Sequence, residues 1–231
     1  MIHGLNNNTY AFEEIDRFLK LLGYETEIIV LPMHEKAPQE VDNVKKSLEV
    51  FNQRMRSLGD APFYALAFSH GALYLELWMR ENPELRPIKQ VLLAPAFFIK
   101  KQKLIQNVLK ILPDSLQIKS LAPKRFRRFN TLSIRSYRIL FQGMEKFQRE
   151  LSAFSIPTLI IVDPEDELVD GKKLKKEMEN TNSGLKVEFI QREYLKNGIG
   201  RHHILFHPDY FTEIDWTNFL KKIINFLEDH E

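Results

Sequence analysis

The 231-residue chain contains no cysteine, which excludes disulfides, thiolate metal sites and a cysteine nucleophile. No stretch approaches the roughly 18 to 20 uninterrupted apolar residues of a membrane-spanning helix. GxGxxG, a phosphate-binding loop and HExxH are all missing, so nucleotide binding and zinc-protease chemistry lack a basis in the sequence. Met1 to Asn6 has neither the basic region nor the apolar segment of a signal peptide, and this predicts a cytoplasmic location. There is no internal repeat and no low-complexity tract.

What is present fits one α/β domain with a sizeable core and an insertion. Apolar residues make up 44% of the chain and charged residues 28%, ordinary values for a globular protein. The net charge of +2 conceals an asymmetry. Residues 99–150 hold thirteen Lys or Arg against three Asp or Glu, a net +10, so the rest of the chain carries −8. A basic segment on a mildly acidic body suggests contact with something anionic, or long basic stems laid over apolar surface.

Residues 9–22 read as an amphipathic helix, with Phe12, Ile15, Phe18, Leu19 and Leu22 at helical spacing and Gly23 as a stop. Residues 25–31 form a β-rich run closed by Pro32, and residues 41–55 a second helix. Continuous apolar runs at 63–67, 91–94 and 157–162 predict buried strands, with a further strand near 187–190. Helices are expected at 72–80, 172–180 and 211–228. Residues 97–152 turn helical and basic, broken at Pro113 and Pro123. Buried strands alternating with helices predict a mostly parallel, doubly wound sheet. The core would be residues 1–96 and 153–231, with a basic helical cap at 97–152.

In an open parallel sheet, chemistry gathers beyond the carboxyl ends of the strands. Ser69, within Ala67-Phe68-Ser69-His70-Gly71, follows one strand end and precedes a helix. Such a turn projects a hydroxyl towards the N–H groups of the helix start, although a serine there is most often only a helix cap. Asp163-Pro164-Glu165-Asp166-Glu167-Leu168-Val169-Asp170 follows a second strand, and His202-His203-Ile204 lies between the last strand and the last helix. The chain order is serine, acid, histidine. His202, His203, His207 and Asp209 match no recognised zinc spacing.

These segments resemble the α/β-hydrolase fold, and most of all its carboxylesterase and monoacylglycerol-lipase-like members with a helical cap. His3-Gly4 resembles the oxyanion loop and Ala67 to Gly71 the nucleophile elbow, with Ala67 in place of the first glycine. Asp163-x-x-Asp166-x-Leu168-Val169 resembles the acid segment, with Asp163 where glycine is usual, and His202-x-Ile204 the histidine pattern. The resemblance implies Ser69 as nucleophile, His202 as general base and Asp166 as its orienting carboxylate. It implies an oxyanion hole from the backbone N–H groups of Leu5 and His70, with His3 and Gly4 beside the substrate and no cofactor. The expected reaction is hydrolysis of a carboxylic ester with a hydrophobic acyl group. Alternatives are a thioesterase, or a degenerate hydrolase that binds lipid or a partner through its basic cap.

Adjacent histidines cannot both face one point, and the spacing to Ile204 favours His202 over His203. Asp163 is the next acid after Asp166, and His34 could line the mouth of the site. Residues 100–112 could touch an anionic membrane, or cover the active site with their apolar face. Lys124-Arg125-Phe126-Arg127-Arg128-Phe129 interleaves bases with aromatics, a weak signal for single-stranded nucleic acid. Only Met1 and Ile2 precede His3, where the family has a central strand. Either the start is internal to a longer chain, or a strand of two or three residues stands in its place.

Overall fold

The computed structural model describes residues 1–34, 43–59, 61–151, 154–179, 185–192 and 202–229. Four parallel strands form the sheet: β1 (Ala65–Phe68), β2 (Gln90–Leu93), β5 (Thr158–Val162) and β6 (Leu185–Phe189), in that spatial order. Every residue of β1, β2 and β5 is buried, which is why these segments read as unbroken apolar runs. Helices α1 (Glu13–Leu21), α2 (Val44–Arg56), α3 (His70–Glu81), α6 (Gly171–Glu179) and α7 (Glu213–Glu228) flank the sheet. Thr9–Phe12 is a 3-10 turn leading into α1, and Gly23, at φ 91°, ends that helix region as expected. The expected helix at 41–55 begins at Val44, and its first residues lie outside the described ones, as does Asn180.

The expected strand at 25–31 shrinks to one position. Ile29 bridges in parallel to Ile2, which bridges in parallel to Ala67. Ile2 donates to Leu66 O at 2.9 Å and accepts from Phe68 N at 2.9 Å, while Ile29 donates to Met1 O at 2.8 Å. Ile2 therefore occupies the place between the 25–31 segment and β1. Gly71 makes this possible at the start of α3. A Cβ there would sit 2.5 Å from His3 O and 2.6 Å from Ile2 O, a collision with backbone that cannot give way.

Between β2 and β5 lie α4 (Gln102–Ile111), a short antiparallel pair β3 (Gln117–Lys119) and β4 (Thr131–Ser133), and α5 (Ile134–Arg149). The β3–β4 pair is absent from the sequence expectation of a largely helical insertion. All three residues of β3 are exposed, so no apolar alternation marks it. Helix α5 is not a detached lid. Its Leu140, Phe141, Met144 and Phe147 join the main hydrophobic core, and Gly143 lets it approach Leu73 and Leu77 of α3. Among the described residues no helix is long and apolar enough to cross a membrane.

Candidate active site

Ser69 stands at the carboxyl end of β1 and immediately before α3, with φ 52° and ψ −114°. A positive φ at a non-glycine residue is strained, and the packed strand and helix on either side enforce it. His203 Nε2 lies 3.2 Å from Ser69 Oγ, and His203 Nδ1 lies 2.8 Å from Asp166 Oδ2. Asp166 Oδ1 accepts from the N–H groups of Leu168 (2.7 Å) and Val169 (2.8 Å). Burial alone would raise this carboxyl. The His203 charge and hydrogen bond, with those two N–H groups, outweigh it and hold Asp166 below the usual carboxylate range.

The structure thus links Ser69 and Asp166 through His203 rather than His202. The side chain of His202 turns the other way, with Nδ1 3.3 Å from Asp163 Oδ1 and Nε2 3.5 Å from Glu165 Oε2. Asp163, the second-choice acid, therefore serves a separate buried cluster. Its Oδ2 lies 3.4 Å from Nε of Arg192, whose side chain is fully buried. Arg192 also donates to His202 O (2.9 Å), Ile204 O (2.8 Å) and Tyr210 O (3.2 Å), and its guanidinium stacks on the Phe211 ring at 4.4 Å. Glu167 accepts from two successive backbone N–H groups, His202 at 3.3 Å and His203 at 3.1 Å. Arg192 and Glu167 grip the histidine segment from its carbonyl and amide sides. Neither carries a motif that the sequence alone would flag.

The loop expected to form the oxyanion hole shares a cavity with Ser69. Leu5, Asn6 and Asn7 reach the wall of the cavity that opens over Ser69, whereas His3 and Gly4 do not. The substrate contact expected of His3 and Gly4 therefore has no counterpart in the cavity wall. His3 is fully buried, with Nδ1 2.8 Å from Gly4 O and Nε2 accepting from Leu31 N at 3.2 Å. His34 does not line the mouth either. It is buried with its ring edge-on to His3 at 4.8 Å, and its Nε2 accepts from Asn6 N. His70, first residue of α3, packs edge-on to Tyr74 at 4.6 Å. Among the described residues neither of its ring nitrogens has a hydrogen-bond partner. Burial lowers His3 to about 4 and His70 to about 3, and pushes His34 well down, so all three stay neutral.

The cavity has a volume of about 240 Å³ and an overwhelmingly apolar wall, including Phe68, Leu132, Tyr137, Leu140, Phe141 and Phe206. Ser69, His203, Asn6, Ser120 and Glu167 are among its few polar members. Among the described residues no group of three or more His, Cys, Asp or Glu could hold a metal ion. Phe126 of the basic-aromatic run is buried against Phe206 at 5.3 Å. It is therefore unavailable as a stacking platform for nucleic acid bases.

No family model and no curated protein matches the sequence. Solved structures do match in shape. A monoacylglycerol lipase from Paleococcus ferrophilus is 16% identical with a TM-score of 0.69, covering 97% of this chain and 93% of its own. A soluble variant of the Saccharomyces cerevisiae monoglyceride lipase, in complex with a substrate analogue, is 15% identical with a TM-score of 0.71, covering 98% and 84%. Est1E from Butyrivibrio proteoclasticus is 15% identical with a TM-score of 0.63, covering 99% and 87%. Together with the parallel sheet and its flanking helices, these likenesses establish that the chain has the α/β-hydrolase fold.

Proposed function

We propose that the protein is a serine hydrolase that cleaves carboxylic esters with a hydrophobic acyl group through an acyl-enzyme on Ser69. The observation that carries this reading is the unbroken path from Ser69 Oγ through His203 to Asp166, opening into an apolar cavity. A serine hydroxyl is a poor nucleophile until a base takes its proton. With its Nδ1–H donated to Asp166, His203 presents Nε2 as the free acceptor for that proton. The carboxylate then stabilises the imidazolium that forms. The developing oxyanion would meet the N–H groups of Leu5 and His70. His203 returns the proton to the leaving alcohol, and a water molecule activated by the same imidazole releases the acid.

The apolar wall favours an acyl chain over a polar one. The acid partner of the histidine is the one the sequence resemblance implies. The solved neighbours named above are lipases and an esterase, which supports the same class of substrate. Ser69→Ala should abolish turnover of a short p-nitrophenyl ester and covalent labelling by a fluorophosphonate, with the melting temperature unchanged. Retained turnover would exclude Ser69 as nucleophile. A wild-type protein that neither labels nor turns over would instead be a hydrolase fold used for binding.

We further propose an anionic lipid surface as the source of substrate. Helix α4 buries Leu109 in the core and turns Ile105 to the cavity, yet leaves much of its apolar set outside. Gln102 and Gln106 hydrogen-bond inward to Gln148 and Glu145 of α5, while Leu104, Val108 and Ile111 face solvent, Leu104 at 62% and Ile111 at 82% exposure. Ile118 and Leu121 extend this apolar face, and Ile105 and Leu121 also line the cavity. Lys101, Lys103, Lys110, Lys119 and Lys124 are exposed around it. The single acid between residues 99 and 124, Asp114, is paired with Arg135 and Arg138. Two copies meeting through this face would set like charges together, whereas an anionic bilayer complements both its charge and its apolar stripe.

A further inference from the structure

The asparagine run Asn6-Asn7-Asn8 directly follows Leu5, and its polar atoms reach across to the cap segment 120–129. Asn6 is buried in the left-handed conformation, φ 58°. Its Oδ1 accepts from Phe129 N at 2.9 Å, while its Nδ2 donates to Phe129 O at 2.8 Å and to Ser120 Oγ at 2.7 Å. Its backbone carbonyl accepts from Arg128 N at 2.8 Å. Asn7 bridges antiparallel to Arg127. Asn8 donates from its backbone N–H to Phe126 O at 2.8 Å and from Nδ2 to Arg125 O at 2.9 Å.

Side-chain chemistry selects asparagine at position 6. A carboxamide carries one acceptor and one donor group at the spacing of a peptide, so it can pair with both backbone groups of Phe129 as a neighbouring strand would. Aspartate would set a buried carboxylate against Phe129 O, and glutamine is one methylene too long for the same grip. The left-handed backbone narrows the choice again, since only glycine and asparagine-like residues adopt it readily.

We propose that Asn6 is a positioning residue that latches the cap segment 120–129 to the oxyanion loop, so that its own grip on Phe129 and Ser120 sets the neighbouring Leu5 N–H in place. The latch is reinforced from below. Phe126 packs on Phe206 at 5.3 Å, and Phe206 packs on Phe68 at 4.8 Å, beside Ser69. On the other side, Gly4 lies so close to Phe68 and Asn7 Oδ1 that a Cβ would meet each at 2.7 Å. The loop is thus wedged between the elbow and the cap. This proposal rests on the esterase reading for its catalytic half and on the hydrogen bonds of Asn6 and Asn8 for its structural half.

The test uses Asn6→Gly, which keeps the positive φ and removes the carboxamide, with Asn8→Ala as a latch variant remote from Leu5. Hydrogen exchange of residues 125–130 should quicken by about fivefold or more in Asn6→Gly, since the carboxamide's three hydrogen bonds are lost and one alone is worth about that factor. For a short soluble ester, kcat should fall by about tenfold or more while KM holds, because a displaced donor penalises the transition state and not the bound substrate. Asn8→Ala should loosen exchange at the cap without loss of kcat. Faster exchange with unchanged kcat in Asn6→Gly would overturn the link to Leu5, and unchanged exchange would overturn the latch. A wild-type protein with no turnover and no fluorophosphonate labelling marks failure of the esterase reading instead, and would remove the catalytic half of the proposal with it.

Discussion

His202 and His203 are neighbours in the chain and turn apart in space, each towards its own carboxylate, Asp163 and Asp166. The two should therefore respond differently to the same change. His203→Gln removes the base beside Ser69 and should lower kcat for a short ester by about 10² to 10⁴-fold, the usual worth of a positioned proton acceptor. His202→Gln should leave kcat within about tenfold and act mainly on stability, because its ring reaches Asp163 and Glu165 and not Ser69. Equal losses in steady-state assays of both variants would contradict this division. Ser69 and Asp166 were legible from the sequence because each lies within a few residues of a strand end. The choice between the histidines was not, since it depends on Asp163, Glu167 and Arg192. Asp163 and Glu167 meet the histidine segment from a distant stretch of chain and Arg192 from across a loop, and no local spacing encodes such a meeting.

Helix α4 combines a pattern visible in the sequence with an orientation that was not. Its Leu, Ile and Val positions mark one apolar side, and a cap helix normally lays that side inward. Here Gln102 and Gln106 share the inner side with Leu109 by bonding to α5, and Leu104, Val108 and Ile111 are left outside. Paired substitution Leu104→Gln with Ile111→Gln should weaken sedimentation with vesicles of phosphatidylcholine and phosphatidylglycerol. Lys103→Gln with Lys110→Gln should weaken it by about fivefold per lysine, more at low salt than at high. Turnover of a soluble short ester should be unaffected by either pair. Vesicle binding indifferent to both pairs would remove this face as the lipid contact. The strands were the most legible elements, because β1, β2 and β5 are buried throughout and read as continuous apolar runs. The β3–β4 pair gave no such signal.

At the scale of the whole molecule, buried titratable groups set how stability varies with pH. His3, His34 and His70 are held neutral with values far below the ordinary 6.5. The unfolded chain binds protons at these sites as pH falls below 6.5 and the folded one does not, so their contribution is complete above 6.5 and lost on acidification. His3, lowered to about 4, would account for about 3 kcal/mol. Glu76 opposes them. Burial raises it to about 7 from 4.5 despite its hydrogen bond from Gln90. Its contribution is therefore complete below 4.5 and lost as pH rises through 7. Three histidines against one glutamate leave stability rising from about pH 4.5 to 6.5. Urea denaturation at a series of pH values should show that rise, and a flat profile over the interval would exclude three neutral buried imidazoles.

The single-residue pairing at Ile2 has a consequence for how the two sides of the sheet hold together. Main-chain bonding between the segment at Ile29 and β1 passes through Met1 and Ile2, too short a run to act as a ladder. Cohesion across that seam draws on close contact as well: a buried isoleucine side chain, a helix start bare of its Cβ, and backbones resting on one another. The join is a narrow seam in which shape counts beside hydrogen bonding, and any bulk added at Gly71 would press it apart.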